Sequence, residues 1–335
     1  MYTDEDLNFA VKKGVFTDSA VEEFRALLSS SKHSPSVDEE NFKLVGGFND
    51  IFIVIACLLL IFSSLWVVNF IAESDVLGML VFTVLSWILS EIFVLKRKMA
   101  LPGIALLLAF VGGVYSISDF VVMGSKEMSF MLSAALATIA AYLHWLRFKV
   151  PITIAVGTAA AVGLLVSLAM SIFPDTNDSL LVILFICGVL SFIFAMYWDS
   201  SDTKRITRNS DVAFWLHLLS APLIIHPVFS KLGVLDGNES LVSMAAVVVL
   251  YVFMTSISIV IDRRAFMVSS LVYVLYALSS LIKAYGGVGY SFALTGVLMG
   301  GALLLLSVFW HRVRVYLVAK LPAVVKENIP EIREA

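Results

Sequence analysis

From residue 51 onward the chain is a succession of apolar runs, each close to the length a helix needs to cross a hydrocarbon core. Ten can be read: 51–72, 76–95, 101–122, 128–147, 151–173, 179–198, 212–230, 241–261, 265–283 and 290–310. Short polar stretches divide them. Pro102 and Pro151 stand at first-turn positions, where a missing N–H costs nothing. "FPDTND" and "LDGNES" read as polar turns and "YGGVG" as a glycine-rich one. The pattern predicts an all-α polytopic membrane bundle of about ten transmembrane helices.

Composition points the same way. Sixty per cent of the 335 residues are hydrophobic and only 15% are charged, with a mean hydropathy of +0.95. A soluble domain of this length could not hide so much apolar surface, so the bilayer is the expected solvent. Cys57 and Cys187 each lie inside an apolar run and offer neither a disulfide framework nor metal-ligand spacing. The opening "MYTDEDLNFAVKKG" is too charged for a signal peptide, so the first run is expected to stay as a membrane helix.

The distribution of charge then orients the bundle. Lys96, Arg97 and Lys98 follow the second run, and Arg147 and Lys149 the fourth. Lys204, Arg205 and Arg208 follow the sixth, and Arg263 and Arg264 the eighth. Twenty of the 23 Lys and Arg fall on this side, all but Lys126, Lys231 and Lys283. The positive-inside rule makes the side cytoplasmic, with both termini inside. Trp145, Trp198, Trp215 and Trp310 fall at the same ends, where an aromatic belt is expected.

Residues 1–49 read as a cytoplasmic helical hairpin and linker. Thr3 caps a first short helix that stops near Gly14, and Ser19 with Glu22 forms a capping box for a second. So short a hairpin cannot bury its own core, so it docks on the bundle or on a partner. Residues 50–310 form the bundle, and 311–335 a cytoplasmic tail that lies along the headgroups or frays. Candidate partners are the bilayer, a protein docking on residues 1–31 and a second copy of the chain. Nucleic acid is excluded, because the topology already accounts for the basic residues.

Polarity inside the runs is the informative part, because charge facing lipid is expensive. The ninth run carries Ser269, Tyr273, Tyr276 and Ser280 at helical steps on one face, and the eighth carries Tyr251, Thr255, Ser258 and Asp262. Such stripes either line a site or serve as hydrogen-bonding seams between helices. The fourth run places His144 on a face of small residues, pointing into the bundle beside Arg147. The third has a similar face ending in Asp119, and the second carries Glu91. Asp119 and Glu91 lie near run ends, within reach of headgroup water. Gly296 and Gly300 form a GxxxG pattern that favours close helix packing.

The seventh run is the oddest. Pro222 and Pro227 remove the donors to the carbonyls of Leu218 and Leu223, so a kink or break is expected, with Ser220 as a local donor. His217 and His226 flank the break, about 6–8 Å from the midpoint of the run. Broken helices with polar groups near the midplane are where transporters place binding sites; packing kinks have the same signature.

No signature of hydrolase, nucleotide-binding or zinc chemistry is present, and neither an enzyme nor a cofactor is expected. Residues 2–28, "YTDEDLNFAVKKGVFTDSAVEEFRALL", with the following "GGFNDIFIVIACLLLIFSSLW", resemble the start of bacterial multi-spanning membrane proteins of unknown function. "LLLAFVGGVYSISDFVVMG" is similar to their third helix. The resemblance implies a bacterial inner-membrane protein and supplies no site residue. The residues point to a permease for a small solute, with its site at the seventh to ninth runs. The alternative is a membrane scaffold or sensor that recruits a partner through its N-terminal hairpin.

Overall fold

A computed structural model of the chain describes residues 10–21, 23–24, 48–121, 126–172, 177–205, 207–232, 241–284 and 291–332. The chain falls into two units, Met1–Asn41 with Ile332–Ala335, and Phe42–Glu331. Most of the N-terminal hairpin, including Thr3 and Glu22, lies outside the described residues. Its central turn is described. Gly14 takes φ +73°, and Val15 N–H donates to the Ala10 carbonyl, a left-handed helix stop that glycine makes cheaply. The cap that follows is Thr17 rather than Ser19: Thr17 Oγ1 accepts the Ala20 N–H at 3.2 Å.

The second unit contains ten long helices among its described residues: α1 Phe48–Ala72, α2 Asp75–Ser90, α3 Ala100–Val121, α4 Lys126–Phe148, α5 Ile152–Ile172, α6 Asn177–Ser200, α7 Arg208–Lys231, α8 Leu241–Ile261, α9 Ala265–Ala284 and α10 Ser291–Ala319. A short α11, Ala323–Lys326, follows. Nine of the ten are long and apolar enough to cross a membrane; in α9 the apolar stretch is the shorter Ala265–Ser280. Each apolar run became one helix. α2 continues as a π-helical turn over Glu91–Lys96. α10 passes residue 310 without interruption because no helix breaker occurs before Pro322.

The four hairpin turns at the basic end share one backbone device, which Glu73 of the α1–α2 turn repeats at φ 48°. Lys98, Lys149, Arg205 and Asp262, joining α2–α3, α4–α5, α6–α7 and α8–α9, all take positive φ between 53° and 56°. At Asp262 the pattern is a Schellman stop: its N–H donates to the Ile259 carbonyl and the Arg263 N–H to that of Ser258. A non-glycine residue in this region costs roughly 1–2 kcal/mol, so the side chains must supply something glycine could not. At two of the four turns that something is visible below.

α7 is the axis of the bundle. Of its most apolar window 56% is buried, against 11% for α1. Ala221, Ile225 and Phe229 of α7 join Val247 of α8, Phe266 of α9 and Met299 of α10 in one core. A second core joins Leu107, Ala137, Ala141 and Phe148 from α3 and α4. Of the kink or break expected in α7, the break is absent: the helix is continuous through Pro222 and Pro227. α6 backs onto it at Gly188, where a Cβ would sit 2.8 Å from the Leu223 carbonyl carbon and 2.9 Å from the Ile224 nitrogen. Leu223 carries the carbonyl that Pro227 deprives of its donor, so a neighbouring helix braces α7 at the weak turn. Ser220 Oγ donates to the His217 carbonyl instead of either freed one.

Candidate functional site

At the basic end of α6–α10, acids and arginines leave solvent together. The α6–α7 turn is stapled first: Asp202 Oδ2 accepts both the N–H and the hydroxyl of Thr207 at 2.8 Å. Thr207 Oγ1 in turn accepts the Asn209 N–H and caps α7. This fixes Asp199 on the last turn of α6 against α7. Its Oδ2 lies 2.9 Å from His217 Nε2, and its Oδ1 accepts from Arg263 Nη2 at 2.6 Å. The same Nη2 donates to the carbonyl and hydroxyl of Ser210. Asp199 and His217 are 0% exposed and Arg263 is 2%. The tautomer protonated at Nε2 donates to the carboxylate, leaving Nδ1 buried with no partner among the described residues.

One residue earlier, Asp262 builds the second half. Arg205 Nη1 donates to Asp262 Oδ2 at 2.8 Å and its Nη2 to the Asp262 carbonyl at 2.8 Å. Trp310 Nε1 donates to Asp262 Oδ1 at 2.8 Å, and Arg314 Nη1 lies 3.8 Å from Oδ2. Arg205 and Asp262 are the left-handed residues of their respective turns, so two hairpins are clasped by the side chains that a glycine would lack. Burial, with Arg263 close by, lowers the Arg205 guanidinium from its usual pKa, opposed by Asp262 and Asp199. Three guanidiniums, those of Arg205, Arg263 and Arg314, stand against the carboxylates of Asp199 and Asp262.

The candidate residues divide. His217 and Asp262 enter this cluster. On the α8 stripe, Ser258 Oγ accepts the Met267 N–H at 3.0 Å and caps α9 from outside it. Above it, Tyr251 Oη and Thr255 Oγ1 are buried and turned toward each other, with no hydrogen-bond partner on another helix among the described residues. On α9, Tyr273 Oη meets His226 Nδ1 at 2.7 Å and its ring stacks on Phe229. Ser280 is buried, Ser269 half-buried and Tyr276 exposed. Pro222 is exposed on α7.

The remaining candidates lie apart. Glu91 takes both oxygens to Arg147, at 2.8 and 2.9 Å, tying α2 to α4. His144 is therefore not Arg147's neighbour in charge; it is fully buried among Trp87, Phe110 and Phe148, its Nε2 unpartnered. Asp119 accepts from Ser129 Oγ at 2.6 Å. The small face of α3 lines an apolar groove of about 450 Å³ with Leu58, Phe62, Met79 and Phe82. At Gly296 and Gly300 a Cβ would meet nothing within 4 Å. Among the described residues no three His, Cys, Asp or Glu side chains converge as a metal site.

Sequence reasoning missed Asp199, Arg205, Arg263, Arg314 and Trp310. Asp199 lies one residue outside the sixth run, the arginines read from spacing alone as orienting charges, and Trp310 reads as part of an interfacial belt. Trp310 is in fact buried, because its indole N–H serves a carboxylate. No protein-family model, curated protein or solved structure matches the chain.

Proposed function

We propose that the protein is a bacterial inner-membrane permease for a small solute, with ten spans and both termini in the cytoplasm. In this reading the buried ionic cluster is its cytoplasmic gate. The supporting observation is the polarity of α8. Tyr251 stands at the midpoint of Leu241–Ile261 and Thr255 one turn nearer the basic end, both hydroxyls buried, turned toward each other and without a partner on another helix among the described residues. On the same face, roughly 10 Å beyond Thr255, Asp262 is locked by Arg205 and Trp310. Buried hydroxyls near a midplane are left for a solute or water to satisfy. Ion pairs between hairpin turns are a closure that water can dissolve and packing can restore.

The test needs no substrate. In a Cys57→Ser, Cys187→Ser background, single cysteines replace Tyr251 and Thr255, and a membrane-impermeant thiol reagent is applied to each face of sealed vesicles in turn. Permeation predicts labelling from the cytoplasmic face that rises when Asp262→Asn unlocks the clasp. Folded protein that labels at neither position, with or without Asp262→Asn, would make the stripe a packing seam and end the permease reading.

A further inference from the structure

The clasp has a cover. Beyond α10 the chain turns at Lys320 and Leu321, forms α11 and runs back, burying Ile329 and Pro330. Two contacts seat it. Arg314, 2% exposed, donates through Nη2 to the Pro330 carbonyl at 2.6 Å and through Nη1 to that of Glu331 at 3.4 Å. The Glu331 N–H donates to the Thr203 carbonyl at 3.1 Å, in the α6–α7 turn that carries Arg205. Lys326 Nζ holds the bend by donating to the Ala319 carbonyl.

We infer that residues 321–331 are an autoinhibitory strap that holds the α6–α7 and α8–α9 turns together and keeps the proposed gate shut. The inference rests on the gate reading above. Its geometry is specific to that role. The strap reaches both sides of the clasp: the Thr203 carbonyl, two residues before Arg205, and Arg314, which also faces Asp262. The bonds to Arg314 and Thr203 use main-chain atoms of the strap, and the buried Ile329 and Pro330 anchor it beside them. Arg314 is the pivot. With the strap seated its guanidinium is shared between Asp262 and two carbonyls. With the strap lifted, water reaches Arg314 and then the Arg205–Asp262 pair beneath it, and buried ion pairs weaken when hydrated.

The test uses the full chain with the cysteine at Thr255 as reporter, read by mass spectrometry of the peptide that carries it. Glu331→Pro removes the N–H that bonds Thr203 and leaves every gate residue in place; labelling from the cytoplasmic face should rise about fivefold or more. A Thr203→Cys, Glu331→Cys pair oxidised to a disulfide should instead hold labelling below that of the parent, and reductant should restore it. Asp262→Asn is the control for the gate itself. If Asp262→Asn raises labelling while Glu331→Pro and the crosslink change nothing, the strap is overturned and the gate stands. If none of the three alters labelling, both fall.

Discussion

Asp199→Asn isolates the energetic logic of the buried cluster. The change keeps shape and removes one charge. Arg263, 2% exposed, then faces a neutral amide oxygen in place of its counter-charge, beside the carbonyl and hydroxyl of Ser210, and His217 Nε2 faces the same amide. Breaking a buried ion pair from one side costs about 3–5 kcal/mol, because the remaining charge stays desolvated and uncompensated. Replacing both members with apolar residues of similar volume removes that penalty. Asp199→Leu with Arg263→Met should cost only about 1–3 kcal/mol, the residue being the orphaned His217 donor.

The double variant is therefore expected to be more stable than the conservative single one. Denaturation in mixed micelles by titrated dodecyl sulfate, followed by tryptophan fluorescence, gives both values by linear extrapolation. A single-variant loss under about 1 kcal/mol would mean that water already solvates Asp199, contradicting its full burial. A double variant less stable than the single one would mean that the ion pair itself, and not the avoidance of a lone charge, holds these helices.

Gly188→Ala places a Cβ within 3 Å of α7 backbone atoms that cannot swing aside, and should destabilise by about 1–3 kcal/mol. Gly300→Ala meets open space in the same assay and should stay within about 0.5 kcal/mol. Trp310→Phe leaves Asp262 Oδ1 without its indole donor, a loss of about 1–3 kcal/mol, whereas Trp66→Phe on the exposed face of α1 should be neutral. Ser258→Ala removes the acceptor for the Met267 N–H at the start of α9 and should cost about 1 kcal/mol, visible as faster amide hydrogen exchange at Met267.

The helices were legible because their cause is one-dimensional. Run length against bilayer thickness placed all ten, within a few residues except at the end of α10, which runs nine residues past the expected 310, and Gly14 and the turn prolines punctuate them locally. The continuity of α7 was not legible. Proline chemistry predicts an interruption from within the helix, whereas the brace comes from Gly188, 35 residues upstream of Leu223 on another helix. Nor does sequence spacing say which stripe hydroxyls find partners. Ser258 is satisfied by a backbone N–H nine residues on, while Thr255, one turn away, faces only the Tyr251 hydroxyl of its own helix among the described residues.

The ionic cluster was hidden for a different reason: orientation counting treats every Lys and Arg as an exposed charge. Composition of the turns themselves separates the two kinds. The α2–α3 turn, with Lys96, Arg97 and Lys98, and the α4–α5 turn, with Arg147 and Lys149, have one acid near them, Glu91, and its pair with Arg147 stays at the surface. Lys96, Arg97, Lys98, Arg147 and Lys149 all remain outside the buried core. The α6–α7 turn sets Asp199, Asp202 and Asp211 among Lys204, Arg205 and Arg208, and the α8–α9 turn opens on Asp262 before Arg263. Acids at this end do nothing for orientation, since Asp and Glu contribute little to it. They lower the affinity of a turn for anionic headgroups and supply the counter-charge that lets an arginine enter the protein. A basic turn that carries its own acids is thus one that can draw an arginine inward: Arg205 and Arg263 enter the cluster against Asp262 and Asp199, while Arg208, with no acid bonded to it among the described residues, stays exposed.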